Sequence, residues 1–210
     1  GSGTSGMGGM VQAHAGRSTV HTGGAVVVTS GEGTATSSGV VLIRSSNSGV
    51  AGVSGSLLFS SGTSVTGNSG RVHMGTGAAT AGRGGAVVVT VGSGTSGSGG
   101  LVQAHAGRST VHTGGEVHVS SGEGTATSSG AITIRSVNAG AAGTSGYLSF
   151  SSGSSVTGNS GYIHMGTGVA TAGRGGMVLI SVGSGTSSVG GMMQAHAGRS
   201  TVHTGGAVVV

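Results

Sequence analysis

The sequence contains no proline, cysteine, tryptophan, lysine or aspartate, and it has only two phenylalanines and two tyrosines among 210 residues. A collagen triple helix needs abundant proline and a glycine at every third position, so that fold is excluded. The lack of cysteine leaves the redox compartment open. No apolar run approaches the length of about 20 residues that a membrane-spanning helix needs, so the sequence predicts no membrane insertion.

Charge is also scarce, because only 5% of the residues are charged. Eight arginines against three glutamates give a formal net charge of +5. Arginines this thinly scattered predict a nearly neutral surface rather than the basic patch of a nucleic-acid-binding protein. We therefore expect no nucleic acid among the partners.

The sequence is instead rich in repetition. The string QAHAGRSTVHTGG begins at Gln12 and returns, 91 residues apart each time, at Gln103 and Gln194. Such repeats predict one continuous array over residues 1–210. The array has three blocks, the last of them partial: 2–92, 93–183 and 184–210. Because the pattern runs at full strength to both ends, we expect the chain to be part of a longer array.

Each complete block divides into six modules. Five of them have the same length, as in Arg17–Gly31, and the fourth is always one residue longer, as in 47–62. We number the positions of a module from 1 to 15, so that Arg17 is position 1 and Gly31 is position 15. Position 8 is glycine in all fourteen modules, and positions 10 and 12 are apolar, whereas position 11 varies. The extra residue of the first longer module falls between Asn47 and Gly62.

Apolar residues two apart predict a half-buried strand, because a helix would space them three and four apart. The predicted core consists of Val26, Val28, Val41, Ile43, Leu57, Phe59, Val72, Met74, Val87, Val89, Ile132 and Ile134. The predicted turn glycines are Gly24, Gly39, Gly55, Gly70 and Gly85. Glycine suits such turns because it adopts positive φ and lets backbones approach closely.

These patterns predict an all-β fold without helices, a repetitive β-solenoid or tube. Either one module forms each coil, with coils about 4.8 Å apart, or a whole block forms one large turn. Glycine, at 51 residues, is also typical of a disordered linker. The fixed apolar positions favour an ordered array over that alternative.

Charged and polar residues at the module boundaries offer few candidates for chemistry. Arg17 and Glu32 open successive modules, so a pairing between neighbours is expected; such exposed pairs contribute about 0–1 kcal/mol and serve better to set register. Nine histidines suggest metal binding. Carboxylates are few and thiolates absent, so we expect no metal site and no cofactor. Ser18, His21 and Glu32 supply the residue types of a hydrolytic triad, but serine is so common here that we expect no enzyme.

Other short motifs carry less weight. Gly92, Gly94 and Gly97 match GxGxxG, although the dinucleotide fingerprint requires a following helix. The RGG sequences at 83–85 and 174–176 are typical of RNA-binding tails, but they are isolated here. Thr-x-Thr spacing, as at Thr34, resembles ice-binding proteins. The array lacks N-glycosylation sequons, whereas its many serines and threonines could carry O-linked sugar.

The small-residue stretch followed by GGAVVVTVG at 84–92 resembles the glycine-, serine- and threonine-rich repeat proteins of algal and protist cell surfaces, and also β-solenoid adhesins and silks. This resemblance implies a structural role outside the cell or on its surface. The sequence therefore predicts a filament-forming protein that associates with itself, end to end or laterally, by in-register strand stacking. The alternative is an adhesin or ice-binding stalk.

Overall fold

The computed structural model of the chain describes residues 6–209 and divides into two halves, Gly1–Gln103 and Ala104–Val210. Neither a helix nor a strand occurs among the described residues. The predicted all-β fold, a β-solenoid or tube in either of its two geometries, is therefore wrong. Each half consists instead of irregular chain in which bends recur at regular intervals.

The energy balance of a single module explains why alternation alone does not produce a sheet. Ordering the backbone costs about 1–2 kcal/mol per residue, and glycine loses more freedom than any other residue. Burying a valine side chain returns about 1.5–3 kcal/mol. Each module holds its constrained apolar residues at only two of its positions. One chain therefore has too little apolar surface to order a strand in every module.

Bends nevertheless follow the sequence period in both halves. In the first half they lie at 19–21, 34–36, 50–52, 65–67, 80–82 and 95–97. In the second half they lie at 110–112, 125–127, 141–143, 156–158, 171–173, 186–188 and 201–203. Successive bends are one module apart, and the step into the fourth module of each complete block is longer by a single residue. The module is thus a structural repeat, although its regular feature is a bend rather than a strand.

A backbone hydrogen bond closes many of these bends into loops of nine residues. In the first half, the Gly24 N–H donates to the Gly16 carbonyl over 2.8 Å, and the Gly39 N–H donates to Gly31 over 2.9 Å. The second half repeats both bonds one block later, from Gly115 to Gly107 (2.8 Å) and from Gly130 to Gly122 (2.9 Å). Further bonds of this kind join Gly100 to Gly92, Gly191 to Gly183 and Gly206 to Gly198.

The extra residue of the fourth module lies in its loop. The preceding bend occupies 34–36 and the following one 65–67, but the bend of this module falls at 50–52, one position late. Gly55 therefore takes the place that Gly39 has in the module before. The segment from this glycine to the last residue of the module is eight residues long, as in every other complete module. We call these eight residues the apolar segment.

The chain buries none of its described side chains. Its accessible surface is 20814 Å² for 19.4 kDa. A folded monomer of that mass exposes about 8,500 Å², and the fully extended chain exposes about 28,000 Å². Most apolar surface that folding would normally remove from water thus stays in contact with it.

Candidate functional site: loops and exposed apolar positions

A serine at position 2 stabilises the turn in five of the loops. The Ser18 hydroxyl accepts the His21 N–H over 2.9 Å, and the Ser64 hydroxyl accepts the Gly67 N–H over 3.0 Å. The same bond forms in the second half at Ser109, Ser155 and Ser200. A serine that accepts from the N–H three residues on satisfies a turn without help from the rest of the fold.

Glycine replaces that serine where the loop folds most tightly. A Cβ on Gly33 would overlap the carbonyl oxygen of Ser37 and would lie 2.9 Å from the Thr36 oxygen. Gly124 stands in the same relation to Ser128 and Thr127. Because the obstructing atoms belong to the backbone, only glycine fits these two places. Both glycines are half-buried, unlike nearly all other residues of the chain.

The predicted turn glycines end the loops, but not because of their φ angles. Among the described residues no glycine has positive φ. Close approach is the reason instead, since a Cβ on Gly24 would lie 3.1 Å from the Gly16 nitrogen, and one on Gly85 would lie 3.1 Å from Thr76 Cγ2. Gly39, Gly55 and Gly70 have comparable neighbours at 3.3–3.4 Å.

The twelve predicted core residues are all exposed in the chain, with exposed fractions between 47% and 73%. Alternation is still visible, because Leu42 is 73% exposed between Val41 at 47% and Ile43 at 59%. The same order holds for Leu57, Leu58 and Phe59. Positions 10 and 12 therefore differ from position 11 in the structure as they do in the sequence. Their packing in a core stays a prediction.

The histidines do not form a metal centre in the part of the chain that the structure describes, which contains no group of three or more histidine, aspartate or glutamate residues able to hold an ion. The ring Nε2 of His14 lies 3.4 Å from the Gln12 amide oxygen, on an exposed segment. This contact joins two residues that are close in sequence, so it does not depend on a bound ligand.

The suggested triad has a structural explanation. Ser18 uses its hydroxyl as a turn acceptor for the backbone of His21, so the contact between them does not involve the imidazole ring. Glu32 is exposed at the start of the next module. Residues 6–209 enclose no pocket.

The remaining motifs also lie in the loops. In the GxGxxG match, the Gly100 N–H bonds the Gly92 carbonyl over 3.4 Å around the bend at 95–97, and no helix follows. At the RGG sequence, Gly85 accepts a hydrogen bond from the Thr76 hydroxyl over 3.2 Å. Thr34 and Thr36 both lie in one bend.

No protein-family model matches the chain, and neither a curated protein nor a solved structure matches it. Within residues 6–209, no helix has the length and apolar character needed to cross a membrane. The features from which a function can be inferred are therefore the exposed apolar positions and the loops that space them.

Sequence reasoning overlooked position 2 of the module. Only glycine, alanine or serine occurs there in all fourteen modules. That restriction predicts a structural role for position 2, because a position limited to the three smallest common residues indicates either a close backbone approach or a serine turn. Ser18, Gly33, Gly124 and Ser200, four of the few half-buried residues, occupy it.

Proposed function

We propose that the chain is a structural protein whose copies associate laterally into a filament outside the cell or on its surface. The observation that carries this proposal is the exposure of positions 10 and 12 throughout the described chain. Apolar side chains left in contact with water at regular intervals favour association. Another copy presents the same spacing of apolar residues, so it can cover many of them at once.

Composition supports self-association over binding to a different macromolecule. A chain with 5% charged residues has little electrostatic repulsion to keep copies apart. Its apolar segments contain no proline, which lacks a backbone N–H and would interrupt hydrogen bonding between chains. Every residue of these segments therefore has an N–H group that can donate to a neighbouring chain. In the filament, neighbouring copies pair these segments side by side, with like positions aligned, and thereby remove both backbone and side chains from water.

The loops act as spacers in this assembly. Most of the described loops are closed locally by a serine turn or a glycine-to-glycine bond, and those at 80–82 and 171–173 are closed by a threonine hydroxyl that donates to a glycine carbonyl. These loops therefore need no partner to form. One loop in every module places successive apolar segments at a regular interval along the chain. Exposed serines and threonines in these loops are also where O-linked sugar would be attached.

Negative-stain electron microscopy of the purified chain tests the proposal. Long fibres of uniform width are the expected result. Short discrete rods would favour the adhesin or ice-binding alternative and would contradict filament formation. Featureless chain at every concentration would contradict self-association itself.

A further inference from the structure

We infer that neighbouring copies run parallel and are shifted by one module, so that the arginine opening one module lies against the glutamate opening the next module of the neighbouring copy. This inference rests on the proposed self-association and adds the register of the partner. It is carried by charges that occupy equivalent places in successive loops.

Arg17 and Glu32 occupy equivalent places beside the bonds that close their loops. Arg17 follows Gly16, whose carbonyl closes its loop through Gly24, and Glu32 follows Gly31, whose carbonyl closes the next loop through Gly39. Both side chains are exposed at the entrance of their loops. Two successive loops of equal length, closed by equivalent bonds, thus carry opposite charges at one place.

The second block repeats this arrangement. Arg108 and Glu123 are again exposed at the first position of successive loops. Their loops are closed by the bonds from Gly115 to Gly107 and from Gly130 to Gly122, at the same distances as in the first block. A shift of one module therefore aligns two opposite pairs in each interface.

Other alignments of whole modules bring like charges together or leave more chain uncovered. With no shift, each arginine lies opposite the same arginine of the neighbouring copy. A shift of one whole block places Arg17 against Arg108, Arg108 against Arg199, and Glu32 against Glu123. Like charges directly opposite each other are destabilising. A shift of one module aligns no like charges, since the other charged residues then face neutral ones.

A shift of five modules also aligns two opposite pairs, Glu32 with Arg108 and Glu123 with Arg199. It leaves five modules of each copy without a neighbour, however, whereas the one-module shift leaves one. Because covering the apolar positions drives the association, the shorter shift is favoured.

The apolar segments tolerate this shift because the extra residue of the fourth module lies in the loop. Gly39–Ser46 and Gly55–Gly62 are both eight residues long, on either side of the bend at 50–52. A shift by a whole module therefore keeps positions 10 and 12 against positions 10 and 12. Only the loops of the longer modules differ in length from the loops they face.

Disulfide trapping tests the register directly, since the chain has no cysteine of its own. Thr19→Cys and Thr34→Cys, both at position 3 and exposed, are prepared as separate chains, mixed, assembled and oxidised. A bond requires the two Cα atoms to come within about 7 Å. We expect heterodimers of the two variants to exceed either homodimer severalfold in the trapped filaments.

The outcomes separate this inference from the proposed function. Filaments that yield mainly homodimers would overturn the one-module shift in favour of exact register and leave self-association standing. Filaments without cross-links would overturn the parallel one-module arrangement. If the unsubstituted chain forms no filaments, the proposed function fails and the register inference fails with it.

Charge reversal gives a second test with a matched control. R17E with R108E replaces both opposite pairs by like pairs and should raise the concentration needed for assembly about fivefold at low salt. Adding E32R and E123R restores opposite pairs and should restore assembly. R83E with R174E changes the net charge equally but touches no pair, so an equal effect of this control would overturn the inference.

Discussion

At the scale of single residues, a serine or glycine at the second position of the module determines how most of the described loops are held. Serine there accepts an N–H three residues on, as between Ser64 and Gly67, and glycine there allows the chain to pack against its own carbonyls, as at Gly33. Neither device requires a hydrophobic core. The loops can therefore be regular in a chain that buries none of its described side chains.

Replacing Gly33 and Gly124 by alanine should open their loops. Each new Cβ meets backbone atoms that cannot move aside without distorting the turn, a strain on the order of 1–3 kcal/mol. Amide hydrogen exchange across 33–39 and 124–130 should accelerate about tenfold. Gly31→Ala with Gly122→Ala is the matched control, because nothing lies within 4 Å of either Cβ. Equal exchange in the two variants would contradict this account of the loops.

At the scale of elements, the apolar segment keeps the alternation of a strand without the hydrogen-bonded neighbour that defines one. Val41 and Ile43 are less exposed than Leu42 between them. A bend separates each described segment from the next. Such a segment can pair with another chain, because no regular ladder within its own chain already uses its backbone groups.

Val41→Asp with Ile132→Asp should prevent ordered filaments, because both changes place a carboxylate at position 10, where association would have to bury it. Leu42→Asp with Thr133→Asp adds the same charge one residue further along, at the variable position 11, and should still assemble. Turbidity and electron microscopy compare the two. Normal filaments from the position-10 variant, or equal failure of both, would contradict the assignment of the apolar positions.

The sequence and the structure show the same spacing of modules, but the sequence predicts a strand in each module where the structure has irregular chain. The repeat predicts the module whose interval the bends follow, whereas the role of the turn glycines and the packing of positions 10 and 12 in a core stay predictions. It did not reveal whether the segments pair, because Val41 and Ile43 would alternate identically in a paired strand and in an unpaired one. Pairing depends on contacts distant in sequence, and these small side chains supply too little burial to fix them.

At the scale of the whole molecule, the exposed surface is more than twice that of a folded monomer of equal mass, which is about 8,500 Å². We propose that such a chain gains stability when copies of itself cover its apolar positions. Association then contributes the burial that folding ordinarily supplies, and its extent depends on protein concentration.

On the proposed function, the apolar segments acquire ordered structure only when copies of the chain associate. Sedimentation velocity combined with amide I infrared spectra over a dilution series tests it most directly. We predict a 19.4 kDa species without a strand signal at low concentration, and large assemblies with a strand signal above a threshold. A monomer that persists without that signal up to the solubility limit would contradict the claim, as would a strand signal independent of concentration.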